Sequence, residues 1–158
     1  MHPDHLLACP ACHGINRIPD ARLAQAEEAT CGRCGKPLFD GHPVALDAAG
    51  FDAHAKRSTL PLLIDFWAAW CGPCQQMGPQ FARAGYELEP YVRSAKVDTE
   101  AQGALAGMFG IRSIPTLSLL VDGREVNRHS GTMPAGQIVF WVRETMAKLG
   151  RPLPEVAG

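Results

Sequence analysis

Two cysteines separated by two residues, where a strand-like run gives way to a helix-like one, constrain this chain more than any other feature. The run is Trp67-Ala68-Ala69-Trp70-Cys71-Gly72-Pro73-Cys74. Residues 60–68 are almost continuously apolar, the pattern of a central strand covered on both faces. Residues 71–89 read as a helix with Pro79 inside it, which removes an N–H and predicts a kink. The first thiol therefore falls at a helix N-terminus, where free N–H groups and the dipole favour a thiolate. The second lies one turn further in, within reach of a ring with the first. The missing N–H of Pro73 costs nothing in a first helical turn. Such a pair can trade a disulfide with another protein; two ordinary buried thiols, or two further metal ligands, are the alternatives.

The surrounding pattern is an alternation of strands and helices. Residues 92–97 predict a strand, 101–109 a short helix and 115–121 a strand. Asp122-Gly123 is a hairpin signal that pairs this last strand antiparallel with residues 125–130. Residues 134–149 are amphipathic, with Ile138, Trp141, Val142, Thr145 and Leu149 on one face. A β-α-β half followed by a β-β-α half predicts an α/β sheet with helices on both faces. Asp65 is a charge inside the apolar central run. Buried there, its pKa would rise by desolvation, and it could take up or return the proton of Cys74. A solvated Asp on an exposed strand face is the alternative, and the apolar neighbours on both sides oppose it.

Residues 1–43 read differently. They hold four of the six cysteines, as Cys9-Pro10-Ala11-Cys12 and, eighteen residues later, Cys31-Gly32-Arg33-Cys34. That spacing matches a four-thiolate zinc site. Leu6, Leu7, Ile15, Ile18, Leu23, Leu38 and Phe39 are too few for an independent core, so a metal staple is expected to help this part fold. Two local disulfides or free thiols are the alternative, unusual in a reducing compartment. His13 adjoins Cys12 and could compete as a ligand, but four thiolates fill the shell. His2 and His5 are expected to be solvated. Residues 35–43 are turn-rich and read as a linker, 44–150 as the main domain, and 151–158 as a frayed tail.

At 158 residues the chain has room for one ordinary domain and a small appendage. Its net charge of -1 gives no reason to expect nucleic acid or an anionic membrane as partner. No run approaches the ~18 apolar residues of a membrane span. No secretory signal is visible at Met1-His2-Pro3-Asp4-His5, so a cytoplasmic location is expected. Neither phosphate-cradling glycine motif is present, so no bound nucleotide is expected.

Residues 45–150 resemble the thioredoxin family. The matching stretches are Ile64-Asp65-Phe66-Trp67, Trp70-Cys71-Gly72-Pro73-Cys74, Ala95-Lys96-Val97-Asp98 and Gly110-Ile111-Arg112-Ser113-Ile114-Pro115-Thr116, in the family's order and spacing. With the N-terminal cysteines, nearly the whole chain resembles the bacterial thioredoxin 2 type. The resemblance implies a thioredoxin fold, a central mixed β-sheet with helices on both faces, behind a small zinc-ribbon-like N-terminal domain holding one structural zinc on Cys9, Cys12, Cys31 and Cys34. It implies that Cys71 is the exposed, attacking thiol and Cys74 the resolving one. Lys96 resembles the family lysine that tunes the buried carboxylate; an ordinary surface lysine is the alternative. The Ile114-Pro115 bond is expected to be cis by the resemblance, presenting the Ile114 backbone to an extended client. Trp70, Gly72, Pro73, Ile114, Pro115 and Gly131 would then form a flat docking surface, with Trp67 as core packing beside it. The Gly-Pro spacer accompanies reducing members of the family.

The expected activity is thus reduction of client disulfides by a monomer, recharged by an NADPH-dependent thioredoxin reductase. A second reading, of another class, is a redox sensor or interaction module whose zinc thiolates oxidise, release metal and alter partner binding. A third is a zinc-ribbon adaptor whose main domain is only a scaffold.

Overall fold

The computed structural model describes residues 4–154. The chain opens with an antiparallel hairpin, β1 (His5–Ala8) and β2 (Ile15–Ile18), followed by a 3-10 segment, Asp20–Glu28. Then come β3 (Val44–Ala45), α1 (Ala48–Phe51) continued by a π-type turn Asp52–Lys56, β4 (Leu62–Trp67) and α2 (Gly72–Leu88). β5 (Arg93–Asp98), α3 (Gly103–Met108), β6 (Thr116–Val121), β7 (Arg124–Ser130) and α4 (Ala135–Lys148) complete it. The five-stranded sheet runs β3-β5-β4-β6-β7. β3 and β4 are parallel to β5; β6 is antiparallel to β4, and β7 to β6. α2 runs as one helix through Pro79. Asp122 and Gly123 both take positive φ, 54° and 79°, as a tight two-residue hairpin turn of this hand requires.

The period-2 alternation of β4 divides the core. Leu63 faces the layer made by α2 and α4, among Met77, Phe81, Leu88, Leu117, Leu119, Ile138, Val142 and Met146. Leu62, Ile64 and Phe66 face the opposite layer, with Val97, Leu105, Leu120 and Phe51. Asp65 shares the parity of Leu63, so it sits on the face that α2 covers. On α4, Ile138, Val142 and Thr145 are buried as expected, whereas Leu149 lies past the helix end and is exposed. Among the described residues no helix is long and apolar enough to cross a membrane.

The N-terminal part completes its small core with residues from the main domain. Leu7, Cys9, Leu23, Ala26, Cys31, Leu38 and Phe39 close around Leu60, with Tyr91 packed alongside. Residues 35–43, expected as a linker, thus contribute two of the buried side chains. Arg93 of β5 reaches across: its guanidinium donates to the Ala8 carbonyl at 3.0 Å and lies 4.3 Å from the centre of the Phe39 ring. Burial lowers the Arg93 pKa to about 10 despite the attraction of Glu89, and burial raises Glu89 to about 7. The Thr59 N–H donates to the Leu6 carbonyl at 2.8 Å.

Two expectations change. His5 is half-buried rather than solvated, with Nε2 2.7 Å from Asp20 Oδ1, because the 3-10 segment folds back on the hairpin; His2 lies outside the described residues. The tail is seated as far as residue 154. Arg151 pairs with Asp122 at 2.8 Å, Leu153 packs on the main core, and the Pro154 carbonyl accepts from Arg143 at 3.1 Å. Residues 155–158 lie outside the described residues.

Candidate active site and metal centre

β4 ends at Trp67, and four residues later Cys71 caps α2. Its backbone is extended (φ -90°, ψ 112°), and its sulfur accepts the Cys74 N–H at 3.2 Å. An N-terminal N–H directed at sulfur is the arrangement that favours thiolate over thiol. Pro73 occupies the first turn, where no N–H is needed. Cys71 and Cys74 are joined as a disulfide, with Cα atoms 5.2 Å apart. Both residues are only 4 % exposed, which departs from the expectation of an exposed Cys71. In the disulfide the Cys71 sulfur lies 3.7 Å from the Ile114 carbonyl oxygen.

The residues expected around the pair are brought to it in part. Ile114 and Trp67 pack against Ala68, Cys71 and Cys74. The Ile114–Pro115 bond is cis, Pro115 is buried, and its carbonyl accepts the Gly131 N–H at 2.9 Å. Gly131 takes φ 105°, a conformation that disfavours any side chain there. Gly72 and Pro73 are exposed, and Trp70 is 70 % exposed. Trp70, Ile111, Arg112 and Ile114 line a cleft of about 380 Å³ beside the disulfide. The Trp70 indole N–H donates to Glu100 at 2.8 Å. The sequence reading did not include Glu100, an exposed acid in a turn with no local pattern to single it out.

Asp65 is fully buried, and among the described residues neither carboxylate oxygen has a hydrogen-bond partner. Burial raises its pKa to about 6, and the Lys96 charge moderates that rise. The two residues are paired in register across β4 and β5. The Lys96 ammonium lies 4.5 Å from the Trp67 ring centre, and 4.0 Å from where a Cβ on Gly78 of α2 would stand. The carboxyl and the ammonium thus share the space beneath the helix that carries Cys74.

The four remaining cysteines converge. Their sulfurs all lie within 4.8 Å of one another. Four thiolates about 2.3 Å from a tetrahedral zinc stand about 3.8 Å apart, and the Cys9–Cys34 and Cys12–Cys31 sulfurs are 3.6 and 3.7 Å apart. Backbone N–H groups of Ala11, Gly14 and Arg33 donate to Cys9, Cys12 and Cys31 at 3.3, 3.4 and 3.3 Å. The donor set and spacing fit zinc. His13 does not join this cluster; its ring stacks edge-on against buried His54 at 5.6 Å. Buried His54 has its pKa lowered by burial to about 3, so the ring is neutral.

Comparison with known proteins agrees with both parts. The thioredoxin family model matches residues 42–144, and a zinc-ribbon model described as "Thioredoxin 2, N-terminal" matches residues 8–36. Thioredoxin C-3 of Corynebacterium nephridii is 39% identical over 141 residues, covering 89% of this chain and 95% of that protein. Thioredoxin 1 of Synechococcus elongatus is 38% identical over 90 residues, covering 57% of this chain and 84% of its own. Among solved structures, a single-substitution mutant of a thioredoxin from Halobacterium salinarum aligns with a TM-score of 0.61 at 26% identity, covering 73% of this chain and 96% of that one. Fold, motif order and the length shared with these relatives agree: the chain belongs to the thioredoxin family, whose work is thiol-disulfide exchange and the reduction of protein disulfides.

Proposed function

We propose that this protein reduces the disulfides of client proteins through Cys71 and Cys74 and is recharged by an NADPH-dependent thioredoxin reductase. The observation that carries the reading is the sulfur of Cys71 at the N-terminus of α2, accepting the Cys74 N–H, with a buried Asp65 beneath the same helix. In the reduced protein the Cys71 thiolate attacks one sulfur of a client disulfide, and the other client sulfur leaves as a thiolate. Cys74 gives its proton to Asp65 and attacks Cys71. This breaks the mixed disulfide, releases the second client thiolate and closes the Cys71–Cys74 bond. Two electrons pass to the client, and the reductase returns two from NADPH. Lys96 sets the proton affinity of Asp65. Trp70, Gly72, Pro73, Ile114, Pro115 and Gly131 form the docking face, with the cleft beside Trp70 receiving a client side chain.

In this reading one structural zinc on Cys9, Cys12, Cys31 and Cys34 staples the N-terminal segment, residues 1–43, ahead of a main domain of residues 44–150, and the protein acts as a cytoplasmic monomer. The test is insulin-disulfide reduction coupled to NADPH and a thioredoxin reductase. Wild-type protein is expected to turn over, and Cys71→Ser to fall to background. Equal rates for both would refute the assignment.

A second activity is favoured by the exposure of two zinc-site thiols, Cys12 and Cys34. Reachable thiolates can be oxidised and let the metal go, which would make the N-terminal part a redox sensor. Zinc release to a chelating dye on peroxide treatment supports that reading; zinc retained under oxidant removes it.

A further inference from the structure

Asn16, on β2, makes three hydrogen bonds that meet at the two halves of the four-cysteine cluster. Its carbonyl oxygen accepts the Gly32 N–H at 2.9 Å. Its amide nitrogen donates to the Gly14 carbonyl at 3.2 Å and to the Cys31 sulfur at 3.4 Å. Gly32 lies inside the second cysteine pair. Gly14 follows the first, and its own N–H donates to the Cys12 sulfur at 3.4 Å. One half-buried carboxamide therefore spans both pairs, with its donor end on a metal-binding sulfur.

The polarity of this bridge calls for an acceptor at one end and a donor at the other. The acceptor end meets an N–H, and the donor end meets a carbonyl and a thiolate. A carboxylate of the same shape would keep the contact with Gly32 but set a negative oxygen against the Gly14 carbonyl and the Cys31 sulfur. A donor aimed at a thiolate also spreads the negative charge that four thiolates leave on a zinc centre. Partners behind the ligands hold them in bonding orientation and commonly govern metal affinity.

We propose that Asn16 is a positioning residue of the metal centre, locking the second cysteine pair against the first and aiming the Cys31 sulfur at the ion. The inference rests on the zinc reading above. Its test uses the full-length protein, with Asn16→Asp and Asn16→Ala compared to wild type. Zinc affinity is read by competition with a chromophoric chelator. The sulfur-to-metal charge-transfer band is read after replacing zinc with Co²⁺, and the thermal midpoint is read on metal-free protein.

Asn16→Asp is expected to bind zinc about 10- to 100-fold more weakly, with a displaced Co²⁺ band and an unchanged metal-free midpoint. Asn16→Ala should fall between it and wild type. Affinity and band equal to wild type would overturn the proposal. So would a metal-free midpoint lowered in step with affinity, since Asn16 would then merely support the hairpin. Wild-type protein that binds no zinc would refute the zinc reading itself, and this one with it.

Discussion

Cys74→Ser is expected to abolish turnover and to leave client proteins covalently attached to Cys71. The first attack needs only the Cys71 sulfur, which keeps the N–H at the start of α2. The second needs a thiolate one helical turn away, and serine cannot supply it at neutral pH. The mixed disulfide, normally short-lived, becomes the end product. Steady-state insulin reduction should fall to background, while non-reducing electrophoresis shows adducts that vanish with dithiothreitol. The companion Cys71→Ser should form none. Absence of thiol-reversible adducts on Cys74→Ser would reverse or remove the assigned roles. The equal burial of the two cysteines makes this a real test, because exposure in the closed disulfide does not rank them.

Asp65→Asn is expected to stabilise the oxidised protein at neutral pH and slow its chemistry. The carboxyl titrates near 3.8 when unfolded and at about 6 in the fold, because burial disfavours its charge. The folded state therefore holds this proton more tightly. Below the unfolded pKa the residue is neutral in both states and carries no ionisation penalty. As pH rises from about 4 to about 6 the penalty grows, and above that it is constant at about 3 kcal/mol. Asparagine imitates the protonated acid, so urea unfolding should show the variant more stable by about 2–3 kcal/mol at pH 7 and equal to wild type near pH 3.5. The same change removes the acceptor proposed above for the Cys74 proton. Client release should slow by about a hundredfold, the low end for a positioned base, and lose its inflection near pH 6. Equal stability at both pH values would show that the carboxyl is not paying for its burial.

Much of this was legible because its signals are local. The apolar run before Trp67, the Cys-Gly-Pro-Cys turn, the Asp122-Gly123 hairpin and the spacing of Cys9, Cys12, Cys31 and Cys34 each lie within a short window. The burial of Asp65 could be read from its neighbours. β3 has only two residues and offers no period to detect. The His5–Asp20 pair, the Trp70–Glu100 bond and the reach of Arg93 to Ala8 join residues 15, 30 and 85 positions apart. No pattern in either partner announces such contacts. The small N-terminal core was undercounted for the same reason: two of its members, Leu60 and Tyr91, belong to the sequence of the other part.

Arg93 also bears on how freely such a chain can be rearranged. Its cationic head lies under the N-terminal hairpin, held by the carbonyl one residue before Cys9 and by an aromatic face from residue 39. A main domain cut free at residue 43 would carry an uncovered guanidinium together with bare Leu60 and Tyr91 surfaces. An N-terminal part moved to another host would keep its cysteines but lose the wall of its core. The two parts are separable on paper and joined in packing, so a swap of either would have to carry the matching patch of the other.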